Sequence, residues 1–335
     1  MNVFLSCERT RMRKFAIFLL GVLTALLAAP SHAQRLPEGQ VTMIVPFPAG
    51  GGTDTFARAL AEDFRVALKK TIIIINVGGG GGAIGLSRLA TSKPDGLTIG
   101  IGSTAGIVNV PLLRPDTTPY DPLKDFAPVG QFTSVSQIFA INKAKMPDVD
   151  SIRKLIDYLK KNPGTVSYAT PGIGTGQHLA GELFQQMTGT KMLHVPYSGS
   201  SKAIPDLLGG QVDMAIDTGA VLLPQAKTGK LQFVGWTGRT RPDFDKQLPA
   251  VGESVPGYER IGWHGLFLPA KTAPEIVDIY ARALQAFVAK PETTVTFREQ
   301  GVEAVVSTPD QFKDVIRREI EKVSLIIKNS SSKFE

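Results

Sequence analysis

Two glycine-rich runs in this chain stand where a backbone could hold an anion. The first, Pro46-Phe47-Pro48-Ala49-Gly50-Gly51-Gly52-Thr53-Asp54, lies between an apolar β-branched run at Val41–Val45 and a helical pattern that opens at Asp54. Glycines let a backbone approach a ligand closely and adopt positive φ. Free N–H groups and the dipole at a helix start favour negative charge. Thr170-Pro171-Gly172-Ile173-Gly174-Thr175-Gly176-Gln177-His178 repeats this design after the strand-like Val166–Ala169. The chemistry expected is a carboxylate or other anion held by neutral donors. Phe47, Ala49, Gly50, Gly51, Thr53 and Asp54 would serve on one side. Thr170, Gly174, Thr175, Gln177 and His178 would serve on the other, with Thr175 and the backbone of Gly174–Gln177 as donors. Either run alone is equally a capped strand-to-helix turn; the duplication favours the anion.

Three further positions fall at strand ends, where doubly wound sheets keep their ligands. The hydroxyls of Ser103 and Thr104 either bond a ligand or cap the next segment. Tyr197 either offers a ring and hydroxyl to the site or packs beside an N-cap Ser200. Asp217 either bonds a ligand amine or hydroxyl or caps the following helix. His178 falls in a first helical turn, where the dipole disfavours its protonation, so capping or packing is the expectation over catalysis.

Other chemistries do not assemble. Gly80-x-Gly82-x-x-Gly85 imitates a dinucleotide fingerprint, but it lies in five consecutive glycines and no acid follows at the required distance. There is no Gly-x-Ser-x-Gly elbow and no His or Cys set with metal-ligand spacing. No catalytic group, metal or cofactor is expected.

The elements that must carry these runs alternate. The first unit reads Val41–Val45 strand, Asp54–Leu68 helix, Thr71–Ile75 strand, Ile84–Ala90 helix and Leu97–Ile101 strand. The second reads Ile138–Ile141 strand, Ser151–Lys161 helix capped by Ser151, Val166–Ala169 strand, Gln177–Thr188 helix and Leu193–Val195 strand. It continues with a Ser200–Leu208 helix and strands at Val212–Ile216 and Leu231–Trp236. Beyond a Pro- and Gly-punctuated stretch, helices at Pro274–Ala289 and Pro309–Ile327 flank a Val302–Val306 strand. That order predicts an α/β chain of two lobes, each lobe a mostly parallel sheet flanked by helices, with a cleft between them. The division expected is 34–132 with 250–335 for a discontinuous first lobe and 133–249 for the second. Crossovers near Val129–Gln137 and Thr237–Gly252 would form a hinge.

Met12-Arg13-Lys14, the apolar Phe15–Ala29 and Ser31-His32-Ala33 form a secretory signal, residues 1–33, cut after Ala33. The apolar run is ~15 residues, short of the ~20 needed to span a bilayer. Either Met1 or Met12 could be the start. The single cysteine, Cys7, precedes the apolar run, so the mature chain has no thiol or disulfide. Removing Arg9, Arg11, Arg13, Lys14 and Glu8 lowers the net charge from +7 to +4. The remaining charges are interspersed, which argues against nucleic acid; the mild positive field still favours anions.

These residues resemble the Bug-type extracytoplasmic solute receptors of tripartite tricarboxylate transporters. The resemblance runs from about Val41 to Phe312. It rests on Val45-Pro46-Phe47-Pro48-Ala49-Gly50-Gly51-Gly52-Thr53-Asp54, Pro94-Asp95-Gly96, His194-Val195-Pro196-Tyr197, Asp206-Leu207-Leu208-Gly209-Gly210-Gln211-Val212-Asp213 and Leu266-Phe267-Leu268-Pro269-Ala270. Where that family has Asn-(Arg or Lys)-Pro-Gly, this chain has Asn76-Val77-Gly78-Gly79. The resemblance implies a two-lobe, periplasmic-binding-protein-like clamshell whose loops at Phe47–Asp54 and Thr170–His178 hold a carboxylate partly through water. The function expected is a periplasmic, monomeric receptor, not an enzyme. It would pass a small carboxylate to a membrane permease of the tripartite tricarboxylate type, or report it to a sensor. A secreted enzyme acting on a small anion in the same cleft is the alternative.

Overall fold

The computed structural model describes residues 36–50 and 52–330. The expected signal peptide and its cleavage position lie outside the described residues, as does Gly51. In chain order the elements are β1 (Val41–Val45), α1 (Gly52–Ala67), β2 (Ile72–Asn76), α2 (Ala83–Ala90), β3 (Thr98–Ser103), α3 (Val110–Leu113), β4 (Phe126–Val135) and β5 (Gln137–Asn142). There follow α4 (Ile152–Lys161), β6 (Ser167–Thr170), α5 (Gly176–Thr188), β7 (Leu193–Pro196), α6 (Ser200–Gly209), β8 (Met214–Thr218), α7 (Gly219–Leu222) and β9 (Leu231–Trp236). The chain closes with α8 (Val251–Ser254), β10 (Gly262–Pro269), α9 (Pro274–Val288), α10 (Pro291–Glu299), β11 (Glu303–Ala304) and α11 (Pro309–Asn329).

Two sheets form. The first has the order β11-β4-β10-β3-β1-β2 and the second β7-β6-β8-β5-β9. Both are mixed. Strands joined through helices run parallel, as in β2–β1–β3 and β7–β6–β8. Strand β10 is antiparallel to β3 and β4, and β5 is antiparallel to β8 and β9.

The amphipathic periodicity of α1 explains its seat. Phe56, Ala57, Leu60, Ala61 and Phe64 share one face and are buried against Val41, Met43, Ile99, Ile101 and Leu266. Full burial of each large side chain contributes roughly 1.5–3 kcal/mol. The opposite face of this sheet packs α2 and α11, through Leu86, Leu89, Phe312 and Ile316. In the second lobe, α4 and α5 cover one sheet face and α6 the other.

Two strands differ from the sequence expectation. Phe126–Val135 is a ten-residue strand, not a crossover, and Gly262–Pro269 is its long antiparallel partner. Glycine makes both possible at crowded points: a Cβ on Gly265 would fall 2.1 Å from Phe312, and one on Gly130 would meet Leu284 at 3.0 Å. The first crossover therefore shrinks to Ser136, and the second runs from Thr237 to Ile261. Val251, Val255 and Tyr258 pack in the second core, so the chain returns to the first sheet later than residue 250. The expected Val302–Val306 strand is only Glu303–Ala304. Helix α11 also reaches the second lobe, where Gln186 Nε2 donates to the Ile326 carbonyl at 2.8 Å. Among the described residues no helix is long and apolar enough to cross a membrane.

Candidate functional site

The turn between β1 and α1 is shaped by Asp54, which is 2 % exposed. Its Oδ2 accepts the Gly50 N–H at 2.9 Å and Arg58 Nε at 2.8 Å. Its Oδ1 accepts Asn76 Nδ2 at 2.9 Å, and the same amide donates to the Phe47 carbonyl at 3.0 Å. Burial raises this carboxyl, but the hydrogen bonds from Arg58, Gly50 and Asn76 outweigh it and leave it below its ordinary value. Asp54 thus frames the loop with both oxygens engaged. The N–H groups of Gly52 and Thr53 have no partner among the described residues. Phe47 is partly buried beside Gly82, whereas Ala49 and Gly50 are exposed.

Thr53 leads to a residue the sequence did not single out. Its Oγ1 lies 3.1 Å from His264 Nε2, and His264 Nδ1 lies 2.9 Å from Thr133 Oγ1. Thr133 Oγ1 already accepts the His264 backbone N–H at 2.8 Å. Donating its own proton to Nδ1 leaves Nε2–H to donate to Thr53, and leaves the Thr53 proton uncommitted. Burial lowers His264 to about 4, so this ring is neutral at neutral pH.

Ser103 and Thr104 are buried at the end of β3, with Ser103 opposite His264 in register. Thr104 Oγ1 accepts the Trp263 N–H at 2.8 Å, tying β3 to β10. Ser103 Oγ makes only a long 3.4 Å contact with the Gly106 N–H.

The second turn satisfies most of its own donors. Gly174 N–H donates to His178 Nδ1 at 3.1 Å. Thr175 Oγ1 donates to the Gly172 carbonyl at 2.7 Å and accepts the His178 N–H at 3.3 Å as the α5 N-cap. Thr170 Oγ1 pairs with His194 Nε2 at 2.7 Å. The N–H groups of Gly176 and Gln177 have no partner among the described residues, so they are the backbone donors left open at the start of α5. His178 and His194 stack at 3.8 Å. Burial lowers His178 to about 4; burial and then the neighbouring His178 lower His194 to about 3.

Asp217, also 2 % exposed, accepts Gln177 Nε2 at 3.3 Å and the Thr218 N–H at 2.7 Å. Burial raises its carboxyl against the hydrogen bonds from Ser200, Thr218 and Gln177. Tyr197 spends its hydroxyl on Asp206 at 2.7 Å, leaving its ring to the surroundings.

The two lobe edges meet at the crossovers. Gln137 is buried, with its Nε2 3.4 Å from the Cβ position of Gly176 and 3.7 Å from that of Gly262. The start of α1 therefore connects to the start of α5 through His264, Gly262 and Gln137. Asn109 Nδ2 donates to the Gly174 carbonyl at 3.0 Å, again between lobes. A Cβ on Gly219 would stand 3.0 Å from Gly301 Cα, so two backbones touch there. Gln137 and Asn109 were invisible in sequence because no local motif surrounds them, and His264, beside Trp263, reads there as a structural residue.

Hollows elsewhere lie apart from these helix ends. One of about 370 Å³ is lined by Glu62, Asp63 and Lys290, and one of about 530 Å³ by Lys143, Lys145 and Lys230. Among the described residues no group of three or more His, Cys, Asp or Glu could hold a metal ion.

Comparison with known proteins agrees with this architecture. Residues 56–331 match the family described as the tripartite tricarboxylate transporter family receptor. The chain is 32 % identical to the protein BugT of Bordetella pertussis, over 96 % of this chain and 99 % of that one. It superposes with a TM-score of 0.78 and 32 % identity on Rpa4515 of R. palustris, solved with adipate, covering 88 % of this chain and 97 % of the other. MatC of Rhodopseudomonas palustris, solved with bound malate, gives a TM-score of 0.73 at 26 % identity, covering 86 % and 98 %. A family match over most of the length, with the same fold in its solved relatives, settles the membership: the chain belongs to the tripartite tricarboxylate transporter receptor family.

Proposed function

We propose that this protein is a periplasmic, monomeric, non-enzymatic receptor that closes its two lobes on a small carboxylate. It would reach the periplasm by the signal peptide at 1–33. It would then deliver its cargo to a membrane permease of the tripartite tricarboxylate type. The observation that carries this reading is the pair of open helix ends. The N–H groups of Gly52 and Thr53 in one lobe, and of Gly176 and Gln177 in the other, have no partner among the described residues. Both ends border the crossovers. Such ends hold an anion without a cationic side chain, and bridging water extends their reach. The adipate and malate in two solved relatives support a carboxylate as cargo. Phe47, Ser103, Asp217 and the ring of Tyr197 would line the rest of the cleft.

The contact between Thr53 and His264 has the spacing of a nucleophile and its base. Its chemistry differs. With its proton affinity lowered to about 4, the ring is a poor base at neutral pH. Its Nδ1 faces a threonine hydroxyl instead of a carboxylate. The arrangement orients a donor instead of activating an attack.

The deciding experiment screens succinate, malate, adipate, citrate, glutamate and benzoate by thermal shift and calorimetry, with adipamide as the neutral control. At least one acid should raise Tm by several degrees, as binding to the native state alone requires, and should be recovered unchanged. Tm shifts from adipamide alone would overturn the carboxylate reading. Chemical conversion of a bound acid would transfer the protein to the enzymes.

A further inference from the structure

We propose that Asn109 is a positioning residue that sets the second anion-binding turn from the opposite lobe, making a ligand-ready turn and correctly apposed lobes a single state. The proposal rests on the carboxylate-receptor reading for its purpose, but on side-chain geometry for its mechanism.

Asn109 ends a π-helical turn, Ala105–Asn109, that directly follows β3. Such turns are uncommon and concentrate at functional places. The side chain is 0 % exposed, and both ends of its amide are used. Nδ2 donates to the Gly174 carbonyl at 3.0 Å, and Oδ1 accepts Arg260 Nη2 at 3.2 Å. Arg260 lies in the second crossover, 1 % exposed, and pairs through Nη1 with the buried Glu319 of α11. A chain of buried polar groups therefore runs from α11 through the crossover and β3's extension to one peptide of the other lobe.

That peptide controls the donors. The Gly174 carbonyl and the Thr175 N–H belong to the same plane and point in opposite directions. Fixing the carbonyl on Asn109 fixes where the chain enters α5, and with it the N–H groups of Gly176 and Gln177. Gly174 adopts φ +76, and a Cβ there would lie 2.7 Å from Leu113 Cδ1. Lobe 1 thus fits this turn both by hydrogen bond and by shape. A side-chain amide suits position 109, since it accepts from a guanidinium and donates to a carbonyl at once.

Asn109→Asp separates the two halves of that role. It keeps the size and the acceptor for Arg260 but removes the donor to Gly174. In ligand-free protein, the hydrogen-bonded amides of Gly174, Thr175 and His178 should exchange at least about 10-fold faster in Asn109→Asp than in wild type, while amides of α1 stay unchanged. With malate as probe, koff should rise by about 10-fold and kon should change little. Asn109→Ala should show the same loop effect with a lower Tm. Unchanged exchange at these three amides, or an equal rise in α1, would overturn the proposal, because either would assign Asn109 to general stability alone. Should malate bind neither protein, malate is lost as a cargo while the exchange result still decides.

Discussion

Thr53 Oγ1 and His264 Nε2 stand 3.1 Å apart although 211 positions separate them in sequence. The bond joins the start of α1 to β10, and it turns a half-buried hydroxyl of the first helical turn into an aimed donor. Thr53→Val preserves shape and removes that donor. Carboxylate affinity should fall by about 10-fold, the effect of losing one charge-assisted hydrogen bond, with little change in Tm. Calorimetry on the tightest acid of the panel measures it; an unchanged Kd would remove Thr53 from the site.

All three histidines of the described residues are held neutral by burial: His178 and His264 at about 4 and His194 at about 3. Unfolded, each returns to its ordinary value near 6.5. Between those limits the unfolded chain binds more protons, so stability present above about pH 6.5 is lost as pH falls toward 4. Tm should drop steadily across that window. Protonating His178 also takes away the acceptor for the Gly174 N–H, so carboxylate affinity should decline only at the acid end of that range, as pH approaches about 4. A flat Tm from pH 7 to 4.5 would contradict this.

Gly219 and Gly301 mark where the lobes touch backbone to backbone. A Cβ at Gly219 would sit 3.0 Å from Gly301 Cα and 2.9 Å from Trp236. Gly219→Ala should hold the lobes slightly apart. The expected outcome is a larger radius of gyration by small-angle scattering with a saturating acid present, and weaker binding, from a folded protein.

Arg260 and Glu319 are both buried, and they bind each other. Removing one partner strands the other charge, so Glu319→Ala should cost about 3–5 kcal/mol in urea unfolding. Replacing the pair together with Met and Leu should cost much less. Equal losses in the single and double variants would show that the charges do not compensate each other.

The elements legible in sequence are those whose signals are local. Val41–Val45, the α1 stripe at Phe56, Leu60 and Phe64, and the Ser151 cap formed as read. The glycine turns at 46–54 and 170–178 likewise announce themselves by composition. Strands β4 and β10 did not, because Pro128, Gly130, Gly262 and Gly265 look like loop punctuation until Leu284 and Phe312 are seen filling the space. The roles of His264, Gln137 and Asn109 depend on partners more than sixty residues away, and no spacing rule reaches that far. Thr175 shows the converse: it was legible as a donor, yet its hydroxyl is spent on Gly172.

The place of β10 between β3 and β4 orders the birth of the molecule. Ribosomes deliver the N-terminal lobe first, yet that sheet keeps an empty slot until residues 262–269 emerge. The inner lobe, complete once Tyr258 has joined its core, is the earliest part able to condense. A nascent chain thus keeps its first sheet incomplete for most of its synthesis.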